Sequence, residues 1–126
     1  MKIEALDHIV LVVRDVAASL AFYEEVLGLE PREERPGKWS LHFGEQKISL
    51  QSVEGRPPIA ARTNPGSGNF CFRTRAPIGE VLARLEAAKV AVIEGPGERS
   101  GAIGTITSVY FRDPDGNLVE VGSTAP

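Results

Sequence analysis

One unit of chain is written twice in this sequence, and that duplication limits the fold more than any other feature. The first copy opens at Asp7-His8-Ile9 and closes at Gln46-Lys47-Ile48-Ser49-Leu50-Gln51. The second opens at Gly68-Asn69-Phe70 and closes at Asp113-Pro114-Asp115-Gly116-Asn117-Leu118-Val119-Glu120. Each copy reads as one strand, one helix and three further strands. A module of this size buries too little apolar surface to stand well alone, so the two copies are expected to pair and to form a site between them.

The apolar pattern supplies the elements. Residues 8–13 form a continuous run rich in β-branched side chains, which predicts a central strand. Asp15 can cap a following helix, and Val16, Leu20, Tyr23, Val26 and Leu27 give that helix an apolar stripe. Gly28 suits the left-handed position that ends it. Residues 29–34, 38–43 and 46–51 read as three strands. Residues 54–67, rich in Pro, Gly and Arg, read as a linker between module one (residues 5–53) and module two (68–122). In module two, residues 69–73 alternate as a strand, and Pro77 suits the first turn of a second helix carrying Val81, Leu82 and Leu85. Residues 91–94 read as a strand and 95–104 as a glycine-rich loop that could act as a lid. A strand over 105–112, a tight turn over 113–117 and a last strand over 118–121 complete the copy. The expected class is α+β: paired βαβββ modules, each a curled mixed sheet with a helix on its outer face and a cleft on the concave side.

Bulk properties exclude several functions. The chain has 126 residues and a formal net charge of −3, from 17 acidic and 14 basic residues. The basic residues are scattered, with no stripe and no interleaved aromatics, so no nucleic-acid partner is expected. No apolar run approaches the ~20 residues of a membrane span. Met1-Lys2-Ile3-Glu4 leads straight into a patterned strand, so no signal peptide is expected. The single cysteine, Cys71, allows no internal disulfide, and a cytoplasmic location is expected.

Strand parity isolates a polar face. Ile9, Leu11, Val13, Ile48, Leu50, Phe70, Phe72, Val119 and Val121 should face the helices. The opposite set is His8, Ser40, His42, Ser49, Gln51, Asn69, Cys71, Tyr110, Arg112 and Glu120. Burying so many polar groups without partners is costly, so a ligand, metal or water should meet them. His8 is a candidate metal ligand or acid–base group, or else a structural histidine at a strand start. Glu120, a carboxylate in an apolar strand, needs a cation or hydrogen bonds; Arg112 or Lys38 would be the ordinary partner. Gln51 could be a weak oxygen ligand or a substrate hydrogen-bonder. Asn69, Ser49, Tyr110 and Arg112 are candidate substrate contacts, and His42 could supply a further nitrogen ligand. Cys71 reads as a small buried hydrophobe. Arg56, Arg62 and Arg99 read as solvated loop residues. Residues 95–104 lack the Lys-Ser/Thr ending of a phosphate loop, and no Ser-His-acid set can be assembled.

The opening Leu6-Asp7-His8-Ile9-Val10, the Ser19-Leu20-Ala21-Phe22-Tyr23 helix ending Val26-Leu27-Gly28, and the closing Tyr110-Phe111-Arg112-Asp113-Pro114-Asp115-Gly116-Asn117-Leu118-Val119-Glu120 resemble the vicinal oxygen chelate superfamily. That superfamily includes glyoxalase I, extradiol dioxygenases, fosfomycin resistance enzymes, methylmalonyl-CoA epimerase and bleomycin resistance proteins. The resemblance implies up to four protein ligands to a divalent metal (Zn, Mn, Ni, Co or Fe), one near each end of each module. His8 matches the first and Glu120 the last. The second falls in the strand holding Ser49 and Gln51, and the third at Asn69, where metalloenzymes usually carry histidine. It further implies a homodimer acting on a small molecule. Two functions follow as expectations: a glyoxalase-like metal-dependent lyase or isomerase using His8 and Glu120, or a metal-free drug- or metabolite-binding protein like the bleomycin resistance branch.

Overall fold

A computed structural model of the chain describes residues 1–55 and 60–126. The expected linker residues 56–59, Arg56 among them, lie outside the described residues. The chain divides into two compact units, Met1–Pro65 and Gly66–Pro126.

The first unit runs β1 (His8–Val13), α1 (Val16–Leu27), β2 (Glu30–Arg35), β3 (Lys38–Phe43) and β4 (Gln46–Ser52). The sheet order is β1-β4-β3-β2, with β1 and β4 parallel and the remaining pairs antiparallel. Asp15 caps α1 by accepting the Ala18 N–H at 3.0 Å. Gly28 ends the helix at φ +69°, as its position in the sequence predicts. The helix packs on β2, β3 and β4. The core beneath it is Tyr23, Val26, Leu41, Ile48, Leu50, Leu11 and Val13, all buried. Fully burying one such side chain stabilises the fold by ~1.5–3 kcal/mol.

The second unit repeats the plan: β5 (Asn69–Thr74), α2 (Ile78–Ala87), β6 (Glu94–Ser100), β7 (Thr105–Arg112) and β8 (Leu118–Ser123). Its order is β5-β8-β7-β6, with β5 and β8 parallel. Leu85 of α2 is buried, as are Val109, Phe111, Val119 and Val121 of the sheet, and α2 packs on β7 and β8. Both units therefore have the expected βαβββ form.

Two details differ from the sequence reading. Pro77 is the N-cap of α2, not a residue of its first turn. Residues 95–104 are not a loop. They are largely β6, and the strand expected over 91–94 is only its first residue. A strand survives this composition because β6 is the outermost strand of its sheet and pairs only with β7. Proline, which has no N–H to give, is tolerated there. A register shift between Glu94 and Gly97 takes up the irregularity, and the turn is confined to residues 101–104.

Candidate functional site

Sheet register places the predicted polar set. In the first unit His8 lies opposite Lys47, Val10 opposite Ser49 and Val12 opposite Gln51. Across β3, Ser49 lies opposite Ser40, and Lys47 opposite His42. His8, Ser40, His42, Ser49 and Gln51 thus share the face turned away from α1. In the second unit Asn69 lies opposite Leu118, Cys71 opposite Glu120, and Glu120 opposite Tyr110. The two ladders superimpose position by position: Asn69 stands where His8 stands, and Glu120 where Ser49 stands. The duplication is therefore real in the backbone while its chemistry has diverged.

His8 is half exposed. Its Nδ1 lies 2.8 Å from the Asp7 carboxylate. A ring nitrogen facing a carboxylate carries the proton, so in the neutral ring Nε2 keeps its lone pair. Carboxylate–histidine pairs of this kind orient histidine ligands at metal centres. Asp7 was not among the residues singled out from the sequence; its place beside His8 was the only signal.

Glu120 is held by neighbours on its own face. Ser108, fully buried, donates its hydroxyl to Glu120 Oε2 at 2.7 Å. The Tyr110 hydroxyl also bonds Glu120, and burial followed by that contact raises the Tyr110 pKa. Arg99 lies over the Tyr110 ring, 5.5 Å from its centroid, and its Nη2 bonds Glu94 at 3.0 Å. Arg99, expected as a solvated loop residue, is therefore a strand residue packed against the site tyrosine. The ordinary partners expected for Glu120 are engaged elsewhere: Arg112 donates to the Gly116 carbonyl at 3.2 Å, and Lys38 to the Leu50 carbonyl at 3.4 Å. Ser108 could have been found from parity, since it lies two residues before Tyr110.

Cys71 is exposed, not a buried hydrophobe. It shares the Glu120 face, where no helix packs. Burial of the thiol, then the charge and hydrogen bond of Glu120, push its pKa up to about 11. The thiolate form is thus suppressed, which argues against a nucleophilic role. Asn69 is exposed at the start of β5. The turn before β8 fixes that start: Asn117, fully buried, accepts the Gly68 N–H at 2.7 Å and donates to Asp113 at 2.8 Å.

His42 is committed to a separate group. Its Nε2 lies 3.1 Å from Glu34 Oε1 and 3.0 Å from the Ser40 hydroxyl. Lys47 donates to the same Glu34 oxygen at 2.8 Å. Hydrogen bonds from Lys47, Ser40 and His42 lower the Glu34 pKa to about 2. Both Nε2 contacts fall on the one nitrogen, so this is not a catalytic Ser-His-acid chain, in which the acid holds the opposite ring nitrogen.

Among the described residues, no group of three or more His, Cys, Asp and Glu side chains stands together as a metal cage. Taken singly, the side chains of the predicted set with the chemistry of divalent-cation ligands are His8, oriented by Asp7, and Glu120, oriented by Ser108. A groove of about 690 Å³ beside the N-terminal segment, lined by Ile3, Leu6, Asp7, Glu45 and Gln46 among others, contains none of the predicted site residues. No helix among the described residues is long and apolar enough to cross a membrane.

Two βαβββ units, each with a polar sheet face opposite its helix, define a small-molecule-binding fold of the glyoxalase type. The chain belongs to the Glyoxalase/Bleomycin resistance protein/Dioxygenase superfamily, whose profile matches residues 5–121. It is 45% identical over 122 residues to the virulence protein STM3117 of Salmonella typhimurium, covering 96% of this chain and 85% of that protein. It is similar to the integron cassette protein VCH_CASS1 from the mobile metagenome of V. cholerae, with a TM-score of 0.95, 43% identity and coverage of 99% and 98%. It is also similar to a lactoylglutathione lyase from Agrobacterium tumefaciens, with a TM-score of 0.75, 32% identity and coverage of 98% and 96%.

Proposed function

We propose that the protein is a glyoxalase-like lyase or isomerase acting on a small substrate with two neighbouring oxygens, and that His8 and Glu120 hold a divalent metal. The observation that carries this reading is the preparation of the two donors. His8 has its Nδ1 occupied by Asp7, and Glu120 has one oxygen occupied by Ser108. His8 is left with its second ring nitrogen held in a fixed direction, and Glu120 with a carboxylate whose orientation Ser108 and Tyr110 set. Gln51 is a candidate oxygen donor, and water and substrate would complete the coordination. A bound metal would act as a Lewis acid on the paired substrate oxygens. The chain's own groups supply the rest. The Glu120 carboxylate, where it is not engaged as a ligand, can take a proton from a substrate carbon and return it to the neighbouring one. Ser108 fixes the carboxylate's orientation. Tyr110, kept protonated by its raised pKa, can hand its O–H from Glu120 to a substrate oxygen. Likeness to the Agrobacterium lactoylglutathione lyase supports this class of reaction. The expected setting is a cytoplasmic homodimer.

A second reading rests on Gln51 and Asn69. Asn69 stands at one of the two remaining positions where the resemblance calls for ligands, and Gln51 two residues beyond Ser49 in the strand that holds the other; a metal-free drug- or metabolite-binding protein would have no use for stronger donors. Metal analysis of protein purified without chelator separates the two. The enzyme reading expects about one divalent ion per site, and a melting point that rises with added Zn, Mn, Ni or Co. A ligand at 100 times its Kd adds ~2.7 kcal/mol of stability. Metal-free protein with unchanged melting would leave the binding reading standing.

A further inference from the structure

The face of the first sheet turned away from α1 holds a constellation that the metal reading does not use. Lys47 Nζ at 2.8 Å, His42 Nε2 at 3.1 Å and the Ser40 hydroxyl all converge on one oxygen, Glu34 Oε1. The donors stand on adjacent strands, Ser40 and His42 on β3 and Lys47 on β4, so the sheet itself sets their spacing. Ser40 is fully buried and has no exchange with bulk water to satisfy its hydroxyl. Three convergent donors, one of them a permanent cation, form a cradle for an anionic oxygen, and charge-assisted bonds of this kind are stronger than neutral ones. The depressed Glu34 pKa follows from the same convergence.

The occupant is the most exposed member. Glu34 lies on β2, the outermost strand of its sheet, at a register shift between Glu33 and Arg35. Its side chain is 33% exposed, and those of Lys47 and His42 are 27% and 21% exposed. A solute can therefore reach Lys47 and His42, and the buried Ser40 hydroxyl through the place Glu34 would vacate; Glu34 has solvent to move into. An anionic oxygen that takes the place of the Glu34 oxygen strands no donor. Arg32 makes two bonds of 3.1 Å to Glu30, which close that pair on itself.

We propose that Lys47, His42 and Ser40 form a binding site for the anionic group of a small ligand, a carboxylate, phosphate or phosphonate, and that Glu34 is a built-in stand-in that swings out when the ligand enters. The site does not require the metal reading, since neither His8 nor Glu120 bonds its anion, although Lys47 lies opposite His8 in the sheet. The test is titration of the full chain with inorganic phosphate, and separately with acetate, followed through the His42 ring resonances by NMR. Sodium chloride at matched ionic strength is the control. Glu34→Ala should bind phosphate or acetate at least about tenfold more tightly than the wild type, because the competitor is gone. Glu34→Gln should fall between them, and serves if the alanine variant folds poorly. The wild type should show a weaker but saturable shift, and Lys47→Met should remove it. Glu120→Gln should leave the shift in place, so failure of the metal reading is distinguishable from failure of this one. The larger response, to phosphate or to acetate, tells which anion the cradle prefers. A folded Glu34→Ala chain without a saturable shift would overturn the proposal. So would a response that chloride reproduces, or a wild type that never responds while Glu34→Ala binds, since Glu34 would then be a fixed strut.

Discussion

At the scale of single residues, Glu34 has a consequence for acid stability whether or not a ligand displaces it. Its pKa falls from the ordinary 4.5 to about 2 in the folded chain through the bonds from Lys47, Ser40 and His42. A carboxyl whose folded pKa is depressed stabilises the fold above its unfolded pKa. That contribution is lost as pH falls through the folded value. Wild type should therefore be more stable than Glu34→Gln at neutral pH, and the gap should narrow between pH 4.5 and about 2. Denaturant melts at several pH values measure it, and a gap that does not change with pH would refute the assignment. Added salt should shrink the gap, because the group is partly exposed and screened. None of this was legible in the sequence. Glu34 and Lys47 are thirteen residues apart, on strands separated by a third, and only the β2–β3–β4 register brings them together. His8 and Glu120 could be found because each is a polar residue opening or interrupting an apolar strand. Their supports, Asp7 and Ser108, carried no such contrast.

At the scale of elements, both helices close on a left-handed residue, but with different residues and different hydrogen bonds. After α1 the Gly28 N–H bonds the Glu24 carbonyl at 2.9 Å and the Leu29 N–H bonds Tyr23 at 3.2 Å. After α2 the Lys89 N–H bonds Glu86 at 3.0 Å and the Val90 N–H bonds Leu85 at 2.9 Å. The left-handed position is Gly28 at φ +69° in one and Lys89 at φ +58° in the other. A side chain there crowds the backbone by ~1–2 kcal/mol, partly offset by glycine's greater loss of freedom on folding. Lys89→Gly should therefore stabilise the chain by ~0.5–1 kcal/mol, and Gly28→Ala should destabilise it by about 1 kcal/mol. Opposite shifts in melting temperature check both, and equal signs would sink the comparison. The end of α1 was readable because glycine announces it. The end of α2 was not, because nothing about lysine does. The β6 strand was missed for a related reason: Gly95, Pro96 and Gly97 are turn residues by local preference, and only pairing with β7 makes them a strand. Where local preference and tertiary pairing agreed, as in β1, α1, β4 and β8, the sequence reading and the structure coincide.

At the scale of the whole molecule, the duplication leaves each unit with half the strong donors. The first unit carries His8, with Ser49 where the second carries Glu120; the second carries Glu120, with Asn69 where the first carries His8. Neither unit carries both residues of the proposed pair, so a metal held by His8 and Glu120 would need a first unit and a second unit together. Those units can come from one chain or from two. Two-fold homodimers are the commonest soluble oligomers, and their symmetry would give two equivalent sites, each joining the first unit of one chain to the second unit of its partner. We propose that arrangement, and mixing tests it. His8→Ala and Glu120→Gln chains should each bind no metal while keeping the wild-type circular dichroism spectrum. If sites are shared between chains, their heterodimer unites an intact His8 with an intact Glu120 in one of its two sites, so unfolding and refolding the two together should restore metal uptake. Random pairing makes half the dimers heterodimers, and each of these has one working site of two. Recovery should then approach about one quarter of wild-type capacity in an equal mixture, following from two-fold closure alone. No recovery would place each site within one chain, and a monomer by sedimentation would remove the shared site altogether.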